Sequence, residues 1–179
     1  MPWNRPYRIV RSSRAFWVLV LALLACRAEA AQPSGPVHHE TADVVRVVDG
    51  DTLEVFLDGE PRIIRLIGVD TPETVHPRRP VECFGAEASA FMTRLAAGKQ
   101  VRLETDQQTG NRDRYRRLLR YVYLPDGRIL NAEIIAQGYG FAYTRYPFTR
   151  MEDFRSLERD ARAAGRGLWA EGVCGADRS

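Results

Sequence analysis

Three carboxylates stand just past the ends of β-branched runs, a placement from which short acidic side chains can converge on one cation. Asp51 follows the run Val44, Val45, Val47 and Val48 and the turn Asp49-Gly50; Asp70 and Glu73 follow the run RIIRLIGV at 62–69. If these runs neighbour one another in a meander, the three acids meet at one edge. Oxygen donors of this kind suit Ca2+ or Mg2+. Zinc is not expected, because no Cys/His quartet is present. The stretch DGDT lacks the D-x-[DN]-x-[DN]-G spacing of an EF-hand. Each feature also has a structural reading: Asp49-Gly50 is a turn pair, and Thr71-Pro72-Glu73 is a helix start with an N-cap, proline at N1 and an acid in the first turn.

Arginines form the second half of the constellation. Arg65 interrupts the apolar series Ile63, Ile64, Leu66 and Ile67, so its side chain must reach an edge or pair with an acid. Arg112, Arg114, Arg116, Arg117 and Arg120 crowd one loop and the strand after it, with Tyr115 among them. Guanidinium groups grip phosphate oxygens in a fork, and a neighbouring tyrosine ring can stack on a base.

The elements that must position these residues read as strands first. Val44–Val48, Thr52–Leu57 and 62–69 are extended runs, with Asp58-Gly59 as a hairpin turn, and together they predict a meander. The period then becomes helical over Ala86–Ala96, closed by Gly98. Val101–Glu104 and Leu118–Leu124 are two further strands. Asn131 is placed to cap a short helix over Ala132–Gln137, and Met151–Ala164 is a charged amphipathic helix ending at Gly165. Five strands with interspersed helices predict an α+β domain built on a small barrel. Residues 42–170 form that domain, 31–41 a polar linker, and 171–179 a C-terminal tail.

The N-terminus has a different character. Arg5, Arg8, Arg11 and Arg14 precede the apolar run Ala15–Ala25 and the small residues Ala28, Ala30 and Ala31, the pattern of an export signal cleaved after Ala30. The run is shorter than the roughly 20 residues of a transmembrane helix. Leu23-Leu24-Ala25-Cys26 also resembles a lipobox, which would leave a lipoprotein tethered to a membrane through Cys26. The chain is therefore expected to be exported, periplasmic or secreted.

The chain of 179 residues has 45% hydrophobic and 27% charged residues, which excludes a disordered chain, a collagen-like repeat and a polytopic membrane protein. Its formal net charge is +3, but residues 1–30 hold five of the 26 basic residues and one of the 23 acidic ones. That leaves 21 against 22, near −1, so a nucleic-acid partner must be argued from local clusters and not from a global field. Cys83 and Cys174 remain after export, and a pair in an oxidising compartment predicts one disulfide. In the chain-entropy picture such a long loop contributes up to about 4 to 5 kcal/mol.

The stretch VVDGDTLEVFLDGEPRIIRLIGVDTPETVHPRRPVECFGAEASAF at 47–91 resembles the staphylococcal (micrococcal) nuclease, or thermonuclease, family. So do DRYRRLLRYVY at 113–123, LNAEIIAQGYGFAY at 130–143 and GLW at 167–169. The resemblance implies a five-stranded OB-fold β-barrel with three helices. It also implies a Ca2+-dependent endonuclease that hydrolyses DNA and RNA, single-stranded or denatured by preference, to 3′-phosphate ends. By motif, Asp51 and Asp70 would bind calcium through carboxylates and Thr71 through its carbonyl. Glu73 would be the general base or water-orienting group, Arg65 and Arg117 the catalytic arginines, and Tyr115 and Tyr143 the tyrosines around the nucleotide. Arg78 and Arg79 fall in the family's basic loop. No protein partner is implied, and a monomer is expected.

The chain departs from the family in one respect, since Arg116 stands where D-x-Y-G-R has glycine. If that position needs a positive φ, Arg116 is strained and Arg117 displaced. Arg120 adds a further charge where a small residue is usual. A non-catalytic OB-type nucleic-acid-binding module is the alternative reading.

Overall fold

The computed structural model describes residues 38–74 and 81–174. The export signal, Cys26, most of the linker segment, Arg78 and Arg79 lie outside them, as do residues 175–179. Five strands close a barrel: β1 (His39–Asp49), β2 (Thr52–Leu57), β3 (Glu60–Leu66), β5 (Gln100–Glu104) and β6 (Leu118–Tyr123), in the order β1-β2-β3-β6-β5. The β3–β6 pairing is parallel and the others are antiparallel. Three α-helices pack around the barrel: α1 (Gly85–Ala96), α2 (Leu130–Ala136) and α3 (Met151–Ala163). A barrel of this size with interspersed helices is the α+β, OB-type architecture expected.

The meander forms because its turn residues match its twist. Asp58 and Gly59 both take positive φ, 52° and 81°, as a two-residue type I′ hairpin requires, and β2 and β3 pair from Leu57↔Glu60 to Thr52↔Arg65. Alternation then sorts the faces: Leu53, Val55, Ile64 and Leu66 are buried in the core, whereas Arg65, between two of them, points the other way. The third run stops at Leu66, not Val69. Ile67 and Gly68 turn, and β4 (Val69–Asp70) leaves the barrel to pair with β7 (Phe141–Ala142). At the other end, β1 reaches back to His39, paired with Glu104, so the strand runs into the segment read as linker. In α1, Ala88, Met92 and Ala96 repeat every four residues and bury one stripe against the barrel.

Asn131 does not cap α2. It lies inside the helix, fully buried, and its amide bridges three main-chain groups: Val122 N–H donates to Oδ1 (3.0 Å), and Nδ2 donates to the carbonyls of Ile67 (2.9 Å) and Arg120 (3.2 Å). A buried amide that satisfies three main-chain partners stabilises this corner more than a cap would. Likewise Thr71-Pro72-Glu73 starts no helix; it is an irregular segment at the mouth of the barrel. Among the described residues no helix is long and apolar enough to cross a membrane.

Asp106 is the main polar fastening of the barrel to α3. Its carboxylate accepts hydrogen bonds from the N–H groups of Gln108 (2.7 Å), Thr109 (3.1 Å) and Thr149 (2.8 Å) and from the Tyr121 hydroxyl (2.8 Å). Burial pushes its pKa up, but the bonds from Thr149, Tyr121 and Gln108 outweigh burial and hold it below the usual carboxylate value. A depressed folded-state pKa contributes stability above the unfolded value of about 3.9, and that stability is lost as pH falls through the folded pKa. Asp106→Ala is therefore expected to cost about 2 to 3 kcal/mol at pH 7, as buried donors lose their acceptor. The deficit should shrink on acidification towards pH 3, which urea unfolding at the two pH values checks.

Candidate active site

The hairpin register determines how the acids and arginines meet. Thr52 pairs with Arg65, and Leu66 N–H donates to the Asp51 carbonyl (3.0 Å), so the Asp49-Gly50-Asp51 turn lies across the end of β3. Gly50 lets that turn press on Thr71, since a Cβ there would come within 2.6 Å of Thr71 Oγ1. Thr71 N–H in turn donates to Asp51 Oδ2 (3.3 Å), and Thr52 Oγ1 donates to Asp51 Oδ1 (2.9 Å). Asp51 is thereby 6% exposed, a carboxylate almost sealed from water.

Arg65 meets both expectations for a charge on an apolar strand, since it reaches an edge and pairs with acids. Its Nη2 lies 2.8 Å from Asp51 Oδ2 and 3.3 Å from Asp70 Oδ1, and Nη1 donates to the Val69 carbonyl (2.7 Å). Two carboxylates and a main-chain carbonyl on one guanidinium leave little rotational freedom. Burial pushes the pKa of Asp51 up to about 7 against the pull of Arg65, with Asp49 adding to the rise. Asp70 is also raised, by burial first, with Arg65 opposing and Glu82, Glu73 and Asp49 reinforcing.

These residues line a cleft of about 290 Å3. Asp49, Asp51, Asp70 and Glu73 supply the acidic side chains and Arg65 and Arg117 the basic ones, and Thr71, Pro72 and Tyr115 complete the lining. The donor set fits a divalent cation: Asp49, Asp51, Asp70 and Glu73 are hard oxygen donors gathered in one cleft. Among the described residues no group of three His, Cys, Asp or Glu side chains could hold a metal ion unaided.

Arg117 arrives from the opposite wall. Asp113 accepts from Arg117 Nε (2.7 Å) and main-chain N–H (2.9 Å) and from Tyr115 N–H (2.9 Å), so one carboxylate sets both the arginine and the tyrosine. The loop demands a left-handed residue between them. Arg116 has φ 68°, and it is held by its N–H to the Asp113 carbonyl (3.0 Å) and by Arg112 Nη1 on its own carbonyl (2.7 Å). The position does take a positive φ, and Arg117 lines the cleft. Arg116→Gly is expected to raise stability by about 1 kcal/mol, the left-handed penalty less the extra freedom of the unfolded chain. Turnover should change less than twofold; urea midpoints and initial rates would check both.

Arg120 does not add charge to the cleft. It is 3% exposed within β6, where Nε pairs with Glu40 Oε2 (2.9 Å) and Nη1 donates to Asn111 Oδ1 (2.7 Å), fastening β6 to β1. Tyr143 lies outside the acidic cleft. Its N–H donates to the Gly68 carbonyl (2.9 Å), and it lines an adjoining cleft of about 820 Å3 that shares Arg65, Asp70, Tyr115 and Arg117 with the first. Tyr146 and Arg145 line the same wall, with the Tyr143 and Tyr146 rings 6.2 Å apart. Cys83 and Cys174 are joined by a disulfide with Cα atoms 5.9 Å apart.

Sequence reasoning passed over Asp49, Asp113 and Tyr146 as site residues. Asp113 carried a signal, since it stands four residues before Arg117 in D-x-Y-x-R; Asp49 was absorbed into its turn. Tyr146 had none beyond its nearness to Tyr143.

Comparison with known proteins agrees with this geometry. A family model described as "Staphylococcal nuclease homologue" matches residues 63–171. The chain is 35% identical over 162 residues to a protein named Thermonuclease from Staphylococcus hyicus, an alignment spanning 86% of this chain and 94% of that one. It is 37% identical over 128 residues to Thermonuclease from Staphylococcus intermedius, across 68% and 74% of the two chains. Endonuclease YncB of Bacillus subtilis is 34% identical over 128 residues, across 70% and 60%.

Proposed function

The chain belongs to the staphylococcal nuclease family, and on that premise we propose that it is an exported, Ca2+-dependent nuclease that hydrolyses phosphodiester bonds of DNA and RNA to 3′-phosphate ends. One observation carries the reading: Asp51, Asp70, Glu73, Arg65 and Arg117, drawn from distant parts of the sequence, line one small cleft. The nuclease names of its relatives support the reaction class. Export is supported by the arginine-led N-terminal pattern and by a disulfide, which persists in oxidising compartments.

In this reading the carboxylates of Asp51 and Asp70 and the carbonyl of Thr71 would hold the cation, which would supply positive charge to the site. Glu73 accepts a proton from the attacking water, whose oxygen bonds to phosphorus. The P–O5′ bond breaks, the 5′-oxygen takes a proton from solvent, and the phosphate stays on the 3′ side. Charge builds on the equatorial oxygens during attack, so fixed guanidinium groups stabilise the transition state more than the substrate. Arg65 is fixed by Asp51 and the Val69 carbonyl, and Arg117 by Asp113. Tyr115, 63% exposed and lying beneath the Arg114 and Arg117 guanidiniums, offers a ring on which a base can stack. Tyr143 borders the adjoining cleft, and Tyr143, Arg78 and Arg79 are assigned to substrate binding by their motifs.

The test is to incubate the exported chain with denatured DNA and with RNA, in calcium and in excess chelator, and to follow cleavage and end chemistry. The expected outcome is cutting to 3′-phosphate ends in calcium and none in chelator. Retention of single-stranded nucleic acid without cutting would replace this reading with a binding module.

A further inference from the structure

Glu73 is fastened to the start of α1 by its main chain. Its N–H donates to Glu82 Oε2 (3.2 Å), and its carbonyl accepts from Glu82 N–H (2.9 Å), a reciprocal pair joining residue 73 to residue 82. The Glu82 carbonyl then accepts from Gly85 N–H (3.0 Å), the first residue of α1. The helix comes so close that a Cβ on Gly85 would lie 3.0 Å from the Pro72 carbonyl oxygen and 3.1 Å from that of Glu73. Glu73 thus rests on a platform made by Glu82 and Gly85.

Between those two residues the chain is strained. Phe84 takes φ 68°, a left-handed conformation that a bulky residue keeps only where its surroundings enforce it. On one side the Phe84 ring packs against Tyr139 at 5.2 Å. On the other, Cys83 is bonded to Cys174, 91 residues away in sequence. The disulfide therefore lies one residue from the side chain that grips Glu73. Cys174 lies beyond the 310 turn Gly167–Trp169.

We propose that Glu82 is a positioning residue for Glu73, and that the Cys83–Cys174 disulfide holds Glu82 in place, so that turnover falls when the disulfide is reduced. The proposal rests on the role assigned to Glu73 above. In the reduction a dithiol supplies two electrons and two protons; the S–S bond opens to two cysteine thiols and the dithiol closes to its own disulfide. Main-chain atoms of residue 73 then lose their fixed platform, and a displacement of about 1 Å at a reacting group can cost up to about a hundredfold in rate.

The experiment uses the full exported chain, oxidised and after treatment with dithiothreitol, with two readouts: kcat and KM on denatured DNA, and hydrogen exchange at the Glu73 amide. Reduction is expected to lower kcat about tenfold or more, with KM within about twofold, and to speed exchange at Glu73. The double variant Cys83→Ala/Cys174→Ala should behave like the reduced chain and ignore the reductant. Glu82→Ala, which leaves the disulfide intact, should lower kcat and Glu73 protection, and Glu82→Gln, which keeps an acceptor oxygen, should restore most of both. This variant pair decides the matter even if reduction unfolds the chain. Unchanged kcat and unchanged Glu73 exchange in the folded, reduced chain or in Glu82→Ala would overturn the proposal. If the oxidised chain cuts nothing, the nuclease reading fails on its own, while amide exchange still decides whether Glu82 and the disulfide hold Glu73.

Discussion

Glu73→Gln is expected to lower kcat by roughly two to four orders of magnitude, the usual contribution of a positioned general base, while KM stays within about threefold. The substitution keeps the shape of the side chain and one acceptor oxygen, and removes the negative charge and with it the ability to take a proton. Residue 73 keeps its main-chain hold in this variant: its N–H to Glu82 Oε2 and its carbonyl to Glu82 N–H. Removing one negative charge also eases the crowding of carboxylates that helps raise Asp70. Stability should therefore be unchanged or slightly higher, with calcium-dependent nucleotide binding retained. Single-turnover kinetics beside a urea titration would separate the two effects. Turnover within threefold of the parent chain would remove Glu73 from the mechanism.

Much of this site was legible before any coordinates because its residues sit at strand ends. Asp51, Asp70 and Glu73 follow β-branched runs, and alternation within the third run isolates Arg65 between buried Ile64 and Leu66. A meander then leaves few ways for those ends to meet. The barrel followed from the same periodicities, helped by Asp58-Gly59, whose turn type is dictated by its residues. Long-range roles were harder to read. Asn131 looks like a cap because asparagine often is one, yet its amide serves carbonyls on two other segments, which no local pattern encodes. Arg120 looks like site charge by its nearness in sequence to Arg117. Three residues along a strand from Arg117, however, it faces inward and neutralises Glu40 on β1. Asp113 escaped because its work is to orient a neighbour, and a positioning role shows only once donors and acceptors have directions.

The two arginines of the cleft differ in what their loss would expose, and the cleaner experiment is Arg117→Lys. Arg65 neutralises Asp51, a carboxylate that is almost fully buried, so any shortening of it leaves an unpaired buried charge and confounds catalysis with folding. Arg117 is different. Among the described residues its Nε is gripped by Asp113, and its Nη1 has only a long contact, 3.4 Å, to Thr52 Oγ1. The end of the fork is thus presented to the cleft. Lysine keeps the charge but has no Nε–H for Asp113 and no planar pair of donors for two phosphoryl oxygens. The loop itself should survive, because Asp113 also holds the main-chain N–H groups of residues 115 and 117, which are indifferent to the side chain. The expected result is a fall in kcat of about a hundred- to a thousandfold, the scale of losing one preorganised donor to a developing oxyanion. The change in KM should be small and the urea midpoint nearly unchanged. Asp113→Asn should give an intermediate loss, since an amide can still accept from Nε but lacks the charge that fixes it. A lysine variant as active as the parent would mean that position 117 acts only as a diffuse positive charge, and the fork geometry imposed by Asp113 would then have no part in the reaction.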